Sequence, residues 1–199
     1  MDGATGVFGY ERWAGLAACA LGIATLGITL ATDPVPVIVG HRAIADAVAE
    51  MAPPDAVVLF SGYRDGNFIF AIRGWEDRPD ISVLRADKLL LRIIVERNRG
   101  VAEAGYSEDD IAKLIRALGV DLVVAEDGFW DDLTEMKRFE AVLARPDFAP
   151  IGHFPITGTM GHSDKSFTLY RPTYSVAHPS GALSIDMPII GDTFSGQPR

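Results

Sequence analysis

Apolar and polar positions follow two different rules along this chain. From Trp13 to Thr32 (WAGLAACALGIATLGITLAT) twenty residues pass without a charge, with Glu11 and Arg12 before them and Asp33 and Pro34 after. A helix rises about 1.5 Å per residue and the hydrocarbon layer of a bilayer is about 30 Å thick, so the run predicts one membrane-spanning helix. Its leucines and isoleucines favour insertion, whereas its alanines, glycines and threonines add little. Ala14, Ala18 and Gly22, flanked by Gly15 and Thr25, form a stripe of small residues at the spacing that lets membrane helices approach closely. The competing expectation is a cleaved signal peptide with Thr29-Leu30-Ala31 as its cleavage site. The leader, residues 1–12, carries Asp2 and Glu11 against Arg12 and so lacks the basic n-region such a signal needs.

After a short linker at 33–36 the pattern alternates between helical and strand periods. Residues 41–51 (HRAIADAVAEM) place Ile44, Ala47, Val48 and Met51 on one helical face, and Pro53-Pro54 ends the helix. Residues 56–60 (AVVLF) are apolar throughout, as in a strand covered on both faces, and Ser61-Gly62 closes them. Residues 67–75 (NFIFAIRGW) follow Asp65-Gly66 and predict a helix, although their aromatics also suit a strand. Residues 81–84 (ISVL) predict a second strand. Residues 88–95 (KLLLRIIV) fit either helix or strand.

Ser107 caps a helix with acids in its first turn, Arg116 near its end and Gly119 at its stop. Residues 120–125 (VDLVVA) predict a third strand. A helix then runs from Asp131 or Asp132 to Leu143 with Leu133, Met136, Phe139, Val142 and Leu143 as its core face. Residues 148–156 and 166–170 predict closing strands joined by a glycine-bearing loop. This order of β-α-β units predicts an α/β domain over 33–172, a small mixed or parallel, Rossmann-like sheet flanked by helices and preceded by the transmembrane helix. The tail, 173–199, is low in charge and punctuated by prolines, with short strands expected around 183–190.

Charge narrows the partners. The chain carries −9, and the part from residue 33 onward keeps −8 of it, which argues against nucleic acid. Cys19 is the single cysteine and lies inside the apolar run, so no disulfide framework exists.

Candidate chemistry is sparse. Glu126, Asp127, Asp131, Asp132 and Glu135 with Trp130 follow a strand, where α/β folds bind ligands, and could hold a cation or a sugar; a solvated loop with acids at a helix start is the plainer reading. Residues 61–67 (SGYRDGN) occupy the same position after the first strand, without the glycine spacing of a phosphate cradle. Residues 158–166 (GTMGHSDKS) fail as a phosphate loop, since Asp164 stands where a glycine is needed and a strand follows. His41, His153, His162 and His178 lack the spacing of metal ligands, and no catalytic residue, metal or cofactor is expected. Arg85, Lys88 and Arg92, spaced i, i+3, i+7, would share one basic face if helical, with Arg97 and Arg99 beyond, and such a face could meet lipid phosphates; surface pairing with Asp87 and Glu96 is the plainer reading.

The phrases LFSGYRDGNFIFAIRGW (59–75), ISVLRADKLLLRI (81–93), LGVDLVVAEDGFWDD (118–132) and RFEAVLARPDF (138–148) resemble the extracytoplasmic C-terminal domain of bacterial GT-C membrane glycosyltransferases related to protein mannosyltransferases and aminoarabinose transferase. The likeness spans residues 13–172, with Trp13–Thr32 in the place of the last membrane helix. It implies a domain on the periplasmic side of the inner membrane whose partners are lipid, other membrane helices and polyprenyl-phosphate-sugar lipids. The family's catalytic acid lies between early membrane helices, a region with no counterpart in this sequence, so no catalytic residue carries over. The resulting expectation is an accessory domain without its own catalytic centre. A self-contained α/β enzyme acting on a sugar or nucleotide, or an envelope interaction protein, are the alternatives.

Overall fold

The computed structural model describes residues 7–32, 37–93, 100–159, 165–178, 183–187 and 192–196. The chain divides into two compact units, Met1–Val37 and Ile38–Arg199. The first is a single 26-residue helix, α1 (Val7–Thr32). Side chains from 13 to 32 are exposed on every side, so this helix has no polar face to turn to water. Thr25 and Thr32 donate their hydroxyls to the carbonyls of Leu21 and Ile28, each at 2.8 Å, which satisfies them inside the helix as an apolar solvent requires.

The second unit is a mixed α/β domain. In chain order it runs β1 (Ile38–Val39), α2 (His41–Met51), β2 (Val57–Ser61), α3 (Asp65–Phe70) continued by a π-helical turn (Ala71–Trp75), β3 (Ser82–Arg85), α4 (Ala86–Leu90), β4 (Leu91–Ile93), β5 (Val101–Glu103), α5 (Glu108–Ala117), β6 (Leu122–Glu126), α6 (Thr134–Leu143), β7 (Phe148–Gly158) and β8 (Lys165–Pro172). A hairpin of β9 (Leu183–Met187) and β10 (Asp192–Gly196) falls within the tail, where short strands are expected.

The main sheet has the order β1-β7-β8-β6-β2-β3. β3, β2 and β6 are parallel, while β8, β7 and β1 add antiparallel pairs at one side. Along β2 the side chains alternate between two cores. Val57 and Leu59 pack with α4, α5 and α6, and Val58 and Phe60 pack with α2, α3 and Phe167 of β8. Burial on both faces is what makes 56–60 apolar throughout.

Local chemistry explains most boundaries. Ser107 and Asp110 form a reciprocal capping box at the start of α5. At the end of α2 the Arg78 guanidinium donates to the carbonyls of Ala49, Ala52 and Pro53, and Asp80 holds it from the other side at 2.8 Å. That arginine lowers the Asp80 carboxyl to about 2. Three expectations need correction. The buried face of α2 is His41, Ile44, Ala45 and Val48, with Met51 exposed, because His41 turns inward against Phe167. α6 begins at Thr134, not at Asp131 or Asp132, because Gly128 and Trp130 both take positive φ and use those residues in a loop. Residues 88–93, the described part of 88–95, are neither one helix nor one strand: Leu91 is extended, and α4 passes directly into β4. The linker at 33–36, Glu96, Arg97, Arg99, His162 and parts of the tail lie outside the described residues.

Candidate functional site

After β2 the chain crosses to β3 on one side, and after β3 it crosses to β6 on the other. The loops leaving β2 and β6 therefore part at their carboxyl ends, the position where open α/β sheets hold ligands. Gly62, Tyr63 and Arg64 leave β2 there, and Asp127 to Leu133 leave β6.

Gly62 is required by close packing. A Cβ at this position would lie 2.9 Å from the Phe167 ring and 3.0 Å from both Cβ and Oε2 of Glu126. That approach lets buried Glu126 accept the Tyr63 N–H at 2.7 Å through Oε2, while Oε1 meets Lys165 Nζ at 3.3 Å. Lys165 also stands 5.2 Å over the Tyr63 ring. Tyr63 meets Phe129 edge to face at 4.8 Å, Phe129 stacks on Trp130 at 4.7 Å, and Trp130 Nε1 donates to the Tyr63 hydroxyl at 3.0 Å. Arg64 and Trp130, one on each loop, take left-handed conformations with φ of 57° and 54°. Non-glycine residues in that region store strain, and such strain gathers at functional loops.

Behind this aromatic group lies His41, whose Nε2 donates to the Tyr63 carbonyl at 3.1 Å. A carbonyl only accepts, so Nε2 carries the proton and Nδ1 presents a lone pair. Nδ1 is buried without a partner. Burial lowers the His41 pKa, against the opposing pull of the Tyr63 carbonyl and Glu126.

The acidic residues singled out in the sequence take different partners. Glu126 faces Tyr63 and Lys165. Asp127 accepts the hydroxyls of Ser166 and Thr168 on β8, the latter at 3.2 Å. Asp131 and Asp132 are exposed, and Asp131 together with Asp127 adds to the burial that raises the Glu140 pKa. Glu135 is fully buried and accepts the N–H groups of Ala104 at 2.8 Å and Tyr106 at 2.6 Å. Among the described residues no group of three His, Cys, Asp or Glu could hold a metal ion.

The basic triad does not share a helical face. Arg85 ends β3 opposite Phe60, where Asp65 and Asp87 both hold its guanidinium at 3.1 Å. Lys88 lies on α4 at 3.8 Å from Asp87, and Arg92 belongs to β4 opposite Ala102. The pairing with Asp87 is the plainer reading of the sequence. Arg85 nevertheless closes the carboxyl edge of β3, so it shares that edge with Asp127 and Trp130. Adjacent strands are about 4.8 Å apart, which puts the ends of β3 and β6 about 10 Å from each other across β2.

Sequence reasoning missed Lys165, His41 and Gly62. The signal for Gly62 was present in Ser61-Gly62 directly after a buried strand, but the need for a glycine comes from Glu126 and Phe167, distant in the chain.

Comparison of the chain with family models and with curated proteins gives no match. Among solved structures the chain is similar to a protein in the NADB-Rossmann superfamily from Streptococcus agalactiae, at 14% identity over 66% of this chain and 68% of that one with a TM-score of 0.27. So loose a superposition carries no argument.

Proposed function

We propose that the chain is a membrane-anchored, extracytoplasmic accessory domain of a lipid-linked-sugar glycosyltransferase, supplying a folded surface and not the transfer chemistry. The observation that carries this reading is the state of the two carboxylates where β6 ends, Glu126 and Asp127. A glycosyl-transfer base needs a positioned carboxylate oxygen open to the acceptor hydroxyl. Both oxygens of Asp127 already accept hydroxyls from β8, and both of Glu126 are taken by Tyr63 N–H and Lys165. The apolar α1 and the phrase-level likeness of residues 13–172 to the GT-C family support the membrane setting and the choice of enzyme class.

Full-length protein in detergent, incubated with a polyprenyl-phosphate-sugar donor and candidate acceptors, is expected to give no sugar transfer. Turnover that disappears in Asp127→Asn would overturn the accessory reading and favour a self-contained enzyme centred on the β6 loop.

A further inference from the structure

Among the described residues outside α1, the most exposed large apolar side chains include three that share one cleft. Val39 and Phe70 are each 59% exposed and Trp75 is 51% exposed. Together with Ile38 and Arg42 they line one cleft of about 330 Å³. The grouping is built by the π-helical turn, in which Glu76 N–H reaches back five residues to the Ala71 carbonyl at 3.1 Å. In such a turn residues five apart stand nearly above one another, so Phe70 and Trp75 meet edge to face at 5.3 Å. The Arg42 guanidinium lies 4.8 Å over the Trp75 ring. Contiguous exposed apolar surface of this kind marks an interaction site, and an aromatic pair topped by arginine is the composition that settles at the boundary of headgroups and acyl chains.

We propose that this face, Val39, Phe70 and Trp75 with Arg42 at its rim, docks into the interfacial layer of the lipid bilayer. The proposal rests on the reading of α1 as a membrane anchor. Its second support is chain length. Ile38 follows Thr32 by six residues, and six residues reach at most about 20 Å when fully extended. With α1 as the anchor, the edge of the patch is tethered within that length of the end of the apolar helix. Charge does not drive the contact. Asp46 and Glu76 lie beside Arg42 and offset it, and the domain as a whole is acidic. The attraction is therefore apolar and independent of anionic lipid.

The test places the full chain in nanodiscs of zwitterionic phosphatidylcholine, with or without lipid brominated near the top of its acyl chains. One protein retains only Trp75 (Trp13→Phe, Trp130→Phe) and a second retains only Trp13 (Trp75→Phe, Trp130→Phe). Bromine quenches indole on contact, so Trp75 emission is expected to fall at least about two-fold in brominated discs, and to do so equally at about 0.5 M NaCl, where surface charges are screened. Adding Phe70→Ser to the first protein should remove most of that quenching. Quenching of Trp13 with none of Trp75 would overturn the docking while leaving the anchor intact. Quenching of neither would overturn the anchor, and the docking with it. Quenching of Trp75 that vanishes at high salt would show an electrostatic contact and overturn the apolar mechanism.

Discussion

His41 shows at the scale of one residue how a ligand-side histidine and a structural one differ. Its Nε2 is spent on the Tyr63 carbonyl, fixing the loop that leaves β2, and its other nitrogen is sealed in with no proton to give. Burial holds the folded pKa below the ordinary 6.5. Between the folded value and 6.5 the unfolded chain binds the additional proton, so the contribution of His41 to stability is complete above 6.5 and is lost as the pH falls through that window. Glu140 acts in the opposite sense: burial raises its pKa above 4.5, and its contribution is present at low pH and lost as the pH rises. The comparison that isolates His41 is wild type against His41→Gln, which keeps an N–H for the Tyr63 carbonyl and does not titrate. Urea midpoints at about pH 7.5 and about pH 5.5 should fall further for wild type than for the variant. Equal falls would mean that folded and unfolded chains take up the His41 proton alike.

Between elements, the hairpin of β4 and β5 and the start of α6 lock each other. Leu133 precedes α6 without a capping side chain, and Glu103 of β5 takes that role by accepting the N–H groups of Thr134 at 3.2 Å and Glu135 at 2.7 Å. Glu135 answers from α6 by accepting the amides of Ala104 and Tyr106. Losing a helix cap costs about 1–2 kcal/mol, so Glu103→Ala should destabilise by that amount in urea unfolding. Glu135→Ala strands two amides next to a fully buried position and should cost about 2–4 kcal/mol. Because the two carboxylates serve one lock, the double variant should cost less than the sum of the single ones; additivity within about 0.5 kcal/mol would show two independent caps. Nothing local in the sequence announces this lock, since Glu103 and Glu135 lie a whole helix apart. What was legible is what short-range physics decides: α2 between its period and its prolines, β2 and β6 as runs buried on both faces, and α5 from Ser107 and its acids. Residues 88–95 resisted because Leu90 and Leu91 are both buried, one ending α4 and the other opening β4, and neither period accommodates both.

For the whole molecule, strand order mattered more than any motif. Nothing in the sequence places β8 antiparallel between β6 and β7, yet that placement turns Asp127 toward Ser166 and Thr168 and brings Lys165 to Glu126. Glu126 and Asp127 thereby serve as acceptors beside an aromatic group, while Asp131 and Asp132 stay exposed. The remaining question at this scale is how α1 behaves. Leu16, Leu21, Ile23, Leu26, Ile28 and Leu30 each favour insertion by about 0.3–0.6 kcal/mol, roughly 2–4 kcal/mol together, and the back-bonded hydroxyls of Thr25 and Thr32 remove part of the penalty their polarity would impose. With exposed apolar side chains on all sides, α1 is poorly suited to water, and the proposed anchor would be held only modestly by lipid. The full chain should stay with the membrane fraction through an alkaline carbonate wash, and a chain beginning at Asp33 should stay in the supernatant with a cooperative unfolding transition, because both cores lie within Ile38–Arg199. Release of the full chain by carbonate, or a mature N-terminus at Thr32, would make the apolar run a signal peptide and detach the α/β domain from the bilayer.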